Sequence, residues 1–99
     1  MTTHIVSWRF APEHSEEKKK ELAQEIKAKL EALPAVIDGI VEMSVKTDLL
    51  PSSSMDLMLF SRFTSPEALA AYQAHPAHRE VSRFVRSVIC ERICLDYNE

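Results

Sequence analysis

Between Thr3 and Phe10 the chain alternates His4, Val6, Trp8 and Phe10 with Ile5, Ser7 and Arg9. The run is β-rich, and because Ile5 sits among the second set, it predicts a strand with apolar character on both faces. Ala11-Pro12-Glu13-His14 breaks it. Ser15 then supplies a capping hydroxyl, and Glu16 and Glu17 suit the positive end of a helix dipole. Leu22, Ile26, Leu30 and Leu33 recur at helical spacing, so one stripe faces a core, and Pro34 ends the helix. From Ile40 to Lys46, Val41, Met43 and Val45 alternate with Glu42, Ser44 and Lys46, the pattern of a half-buried edge strand. Thr47 to Ser54 reads as a loop. Met55 to Phe63 is again apolar on both sides, with Leu57, Leu59 and Phe63 against Met58 and Phe60. Ser65-Pro66 starts a helix with a cap and a proline at its first position. His75-Pro76 interrupts it, and a second helical piece carries Val81, Phe84, Val85, Val88 and Ile89 on one side. Arg92 to Tyr97 closes the chain as a fourth strand.

The resulting order, βαββαβ, fits an α+β ferredoxin-like sandwich with its strands in the spatial order 4-1-3-2. Two helices can cover only one face of such a four-stranded sheet, yet the central strands are apolar on both. The uncovered face is therefore expected to pack against a second copy, giving a homodimer in which two sheets close an α/β barrel.

Ninety-nine residues fit one domain, spanning 1–99. Lys+Arg 12 against Asp+Glu 15 gives a net charge of −3, which offers phosphate no basic surplus and argues against nucleic acid as a partner. The single glycine, Gly39, rules out Gly-rich phosphate loops and dinucleotide fingerprints. No apolar run approaches the ~18 residues of a membrane span, and the opening residues lack a secretory pattern. A cytoplasmic protein with reduced Cys90 and Cys94 is expected, since four strand positions hold two cysteines too far apart for a disulfide.

The run His4-Ile5-Val6-Ser7-Trp8-Arg9-Phe10, then Ser65-Pro66-Glu67-Ala68-Leu69, Tyr72-Gln73-Ala74-His75-Pro76-Ala77-His78 and Leu95-Asp96-Tyr97 together resemble the Dabb family, the stress-responsive dimeric α/β-barrel domains. The most specific element is Tyr-x-x-His-Pro-x-His. The resemblance implies a ferredoxin-like subunit and a homodimer. It implies less about activity: most relatives are associated with stress responses, while a plant branch consists of polyketide cyclases that close a ring by intramolecular aldol condensation. In that branch the positions matching Tyr72 and His78 are catalytic, and His4 matches a first-strand histidine.

The residues themselves allow two readings. Near a helix N-terminus the local positive charge disfavours imidazolium, which would leave His78 a neutral base, with the Tyr72 phenol able to donate to a carbonyl oxygen. His4, Trp8 and His75 would then be cavity groups around a small, largely apolar ligand. Alternatively, His75-Pro76 ends one helix and starts the next, His78 is hydrogen-bonded across the subunit contact, and Tyr72 is a half-buried packing residue with its hydroxyl at the rim. His75-x-x-His78 with Cys90-x-x-x-Cys94 contains zinc-type ligands, but the spacing matches no common zinc module, and Cys90 is expected as a small buried hydrophobe. No metal and no cofactor are expected.

Overall fold

A computed structural model describes residues 1–99. The elements are β1 (Thr2–Phe10), α1 (Glu16–Glu31), β2 (Ile40–Lys46), β3 (Leu57–Phe63), α2 (Pro66–Ala74), α3 (Pro76–Val88) and β4 (Ile89–Asn98). The four strands form one antiparallel sheet in the order β2-β3-β1-β4, as the pattern predicted, with β3 and β1 central.

Local chemistry sets the helix starts. The Ser15 hydroxyl accepts from the Lys18 amide at 3.1 Å and the Ser65 hydroxyl from the Ala68 amide at 3.1 Å, each satisfying an amide that lacks an intrahelical partner. Leu22, Ile26, Leu30 and Leu33 are all buried, but α1 ends at Glu31, before Pro34. The proline sits instead in a short 3-10 turn, Leu33–Ala35, whose first positions need no amide donor. Gly39 precedes β2 with φ +91, and a Cβ there would lie 2.8 Å from the Ala68 side chain, so both backbone and packing require glycine.

Register decides which side chains share a face. His4 lies opposite Ser61, Val6 opposite Leu59 and Trp8 opposite Leu57, and the helices cover this face. Trp8, Leu57, Leu59 and Phe63 are buried there, and each such side chain contributes ~1.5–3 kcal/mol relative to exposure. The other face carries Ile5 and Phe60, paired across β1 and β3, with Leu95 opposite Ile5 and Ile93 opposite Ser7 on β4. No helix covers it, and Ile93, Leu95 and Tyr97 are 49%, 60% and 47% exposed.

Three expectations need correction. The expected alternation of β2 places Val41 inward, but the register shifts between Ile40 and Glu42; Val41 bulges out at 45% exposure and Ile40 packs against the core instead. β3 begins at Leu57 rather than Met55, because Asp56 is used at the strand entry, its amide donating to the Trp8 carbonyl and its carboxylate accepting from the Phe10 amide. β4 begins at Ile89, directly after α3, so Cys90 lies in the strand, exposed, rather than in the core.

One edge of the sheet is closed by α1. Lys27 donates to the Val45 carbonyl at 2.9 Å, Glu31 accepts from the Val45 amide at 2.9 Å, and the two side chains pair at 2.8 Å. These contacts satisfy backbone groups that an edge strand would otherwise leave open. The Lys27 ammonium, followed by the bond from the Val45 amide, holds the Glu31 carboxyl below its ordinary range.

Candidate functional site

The chain interruption at His75-Pro76 builds the site. His75 is extended, φ −66 and ψ 136, and its Nδ1 accepts from the Ala77 amide at 3.0 Å, which makes it the cap of α3. Its own amide donates to the Tyr72 carbonyl at 3.1 Å, closing the end of α2. This sharp corner places the last turn of α2 beside the first turn of α3. Tyr72 and His78 become neighbours, with ring centroids 4.3 Å apart.

Beneath them, between α3 and the sheet, lies a cavity of about 310 Å³. Its floor is the covered sheet face, with His4, Val6 and Trp8 from β1 and Leu59 from β3. Tyr72, His78, Val81 and Val85 form the roof, and Arg86 on α3 and Arg92 on β4 complete the wall. Of the residues singled out in the sequence, His4, Trp8, Tyr72 and His78 are thus brought together. His75 is not: it stands outside the lining and caps a helix.

Tyr72 is fully buried, boxed by Phe63 at 4.9 Å between ring centroids, His4 at 6.3 Å and His78. Its hydroxyl has no hydrogen-bond partner. Leaving such a group unpaired costs about 1–3 kcal/mol, so this atom calls for an acceptor that the protein does not supply. Burial pushes the phenol pKa well above its ordinary value, and the hydroxyl remains a donor at any physiological pH.

His78 is half-buried, and its Nδ1 lies 3.2 Å from the Gln73 carbonyl. A carbonyl only accepts, so Nδ1 carries the hydrogen and Nε2 is left with the lone pair. Desolvation lowers the imidazole pKa, and the charges of His4, Arg92 and Arg86 act in the same direction, while the Gln73 bond opposes them. The neutral form expected from the helix terminus is therefore favoured chiefly by burial.

His4 is buried on β1, and its Nδ1 contacts the Asp96 carboxylate from β4, the position directly opposite. Cys94 joins them: the three ligand-type atoms lie within 4.8 Å of one another. Burial first, then the Asp96 carboxylate, holds the Cys94 thiol above its ordinary range, and Arg92 beside it adds a positive charge. The group reads as a hydrogen-bonded cluster that fixes His4. Asp96, Arg86, Arg92 and Gln73 were not assigned roles from sequence. Only the strand register would have paired Asp96 with His4.

The family model for the stress-responsive A/B barrel domain, Dabb, matches residues 2–99. The chain belongs to the Dabb family. No curated protein sequence matches it. Among solved structures, a dimeric ferredoxin-like protein of unknown function from Bacteroides fragilis is 26% identical with a TM-score of 0.92, covering 99% of this chain and 95% of that one. A protein from Arabidopsis thaliana is 24% identical, with a TM-score of 0.82 and coverage of 100% and 95%. A hydroxynitrile lyase from Passiflora edulis is 21% identical, with a TM-score of 0.79 and coverage of 99% and 94%. At these identities the last two establish that the Dabb domain shares their fold. No helix of this Dabb domain is long and apolar enough to cross a membrane.

Proposed function

We propose that this Dabb domain is a homodimer whose covered cavity binds a small, largely apolar molecule carrying a carbonyl-type oxygen. The observation that carries the reading is the Tyr72 hydroxyl, fully buried and unpartnered on a residue that lines a cavity in which Val6, Trp8, Leu59, Val81 and Val85 supply apolar surface beside His4, His78, Arg86 and Arg92. A ligand oxygen accepting from it removes the cost of the orphaned donor, while the apolar frame displaces water from the floor. The dimer is supported by the uncovered stripe Ile93, Leu95 and Tyr97 and by the dimeric Bacteroides fragilis relative. Two exposed, unpaired cysteines suit a reducing compartment such as the cytoplasm.

Cyclohexanone, an apolar ring with one carbonyl, is a suitable probe, and Trp8 is the only tryptophan, so its indole N–H signal reports the cavity alone. The expected result is a saturable shift of that signal, with affinity about 3- to 10-fold weaker in Tyr72→Phe, the worth of one net hydrogen bond. Equal affinity in the two proteins would contradict the reading.

A second reading, ring-closing catalysis of the cyclase type, is favoured by His78, whose Nε2 is free and whose imidazole is held neutral. In that reaction Nε2 takes a proton from the carbon beside the carbonyl. The C–H electron pair becomes the enolate, and Tyr72 donates to its oxygen. The enolate carbon then forms a bond to a second carbonyl of the same molecule, whose oxygen takes up a proton. Exchange of the ring protons of cyclohexanone for deuterium in heavy water tests the first half. Exchange above the buffer rate, falling about 10²-fold in His78→Ala, supports catalysis, and a rate equal to buffer leaves binding alone.

A further inference from the structure

The wall of the cavity contains two cations and no anion. Arg86 and Arg92 line it, and no aspartate or glutamate does. None of the chain's ion pairs includes either arginine. The contrast with Arg9 and Arg62 is plain: these lie on the uncovered face and pair with Glu91 at 3.2 Å and Glu99 at 3.9 Å. Asp96, beside the lining residue His4, is engaged by that imidazole. Both guanidinium groups lie near enough to His78 in the cavity roof to disfavour its imidazolium, after burial and His4.

We infer that the ligand of this cavity is an anion, a small carboxylic acid whose carboxylate meets Arg86 and Arg92 while its apolar body lies over Val6 and Trp8 and a second oxygen reaches Tyr72. The inference rests on the cavity being a ligand site and adds the ligand's charge and polarity. Guanidinium groups match a carboxylate by charge-assisted, often bidentate hydrogen bonds, and these two arginines, exposed at the cavity wall, face a lining that offers them no counter-charge. The division of labour also follows: the arginines at the wall capture the charged end, the buried hydroxyl selects an oxygen at the other end, and the apolar floor sets the shape between them.

The test compares 4-oxocyclohexanecarboxylate with its neutral carboxamide, two molecules of one shape that differ in charge, followed by the Trp8 indole signal. The acid is expected to bind about tenfold or more tightly than the amide, the worth of one charge-assisted hydrogen bond. That preference should disappear in the Arg86→Gln/Arg92→Gln double variant and survive in Arg83→Gln, an arginine of the same helix that is exposed like Arg86 but lies outside the cavity wall. Equal binding of acid and amide would overturn the anion while leaving the cavity as a neutral-ligand site. A preference that persists in the double variant would overturn the role of these arginines. If neither molecule moves the Trp8 signal, and cyclohexanone does not either, the ligand-site reading falls and this inference with it.

Discussion

Phe60 and Phe63 lie three residues apart on one strand and point to opposite faces of one sheet, with very different surroundings. Phe63 is fully buried against the Tyr72 ring under the helices, whereas Phe60 is half-buried on a face that no element of the chain covers. On β4, an edge strand exposed from Cys90 onward on both faces, Leu95 adds a 60% exposed side chain to the open face. The covered face also keeps its polar groups in a built arrangement: His4 with Asp96, Ser61 donating to the His4 carbonyl at 2.8 Å, and Tyr72 held without a partner. The open face has an apolar centre with ion pairs of Arg9 and Arg62 at its margin, the anatomy of a protein contact. One face is thus closed within the chain and lines the cavity, and the other is the surface that the proposed dimer would bury.

The sharpest way to separate the faces is to change one and read the other. Phe63→Ala should destabilise the subunit by about 3–5 kcal/mol, the usual cost of emptying an aromatic core position, visible in urea denaturation. Leu95→Glu should leave the subunit folded and weaken the dimer by about 10²-fold or more, as a charge placed at the centre of an apolar contact does. Sedimentation velocity would then show a folded monomer. A Leu95→Glu protein that unfolds, or one that remains as dimeric as the parent, would break the distinction.

A smaller effect concerns acid. The folded-state pKa of His78 lies below its ordinary value of 6.5, because desolvation disfavours its charged form. The unfolded chain therefore binds this proton first as the pH falls. The contribution of His78 is complete above pH 6.5 and is lost as pH falls from there through the lowered folded value. Glu31, held below its ordinary 4.5, loses its contribution only in a more acid range. Denaturation midpoints measured from above pH 6.5 down to 4.5, before Glu31 titrates, should fall with pH in the parent and fall less in His78→Gln. Identical slopes would place the imidazole in solvent.

Much of this division was legible in the sequence. Strands apolar on both parities, Ile5 against Val6 and Phe60 against Leu59, implied a sheet with two apolar faces, and the number of helices implied that one stays open. The pairing of Tyr72 with His78 followed from a proline that separates two helices. What was hidden depends on register and on tertiary exchange of partners. Val41 obeys the alternation of its strand until a bulge rotates it outward. Cys90 belongs to a strand that starts without any turn residue after α3. Asp96 meets His4 only once two strands far apart in sequence are aligned, and His75 resembles a site residue because a capping imidazole and a cavity imidazole have the same sequence neighbours.

The most direct measurement is the set of intermolecular nuclear Overhauser contacts between bound 4-oxocyclohexanecarboxylate and the protein. Contacts to the rings of Tyr72 and Trp8 and to the methyl groups of Val85 are predicted, because the ligand seats between α3 and the covered face. Contacts confined to Ile93, Leu95 and Tyr97 would place it on the open face and contradict the account.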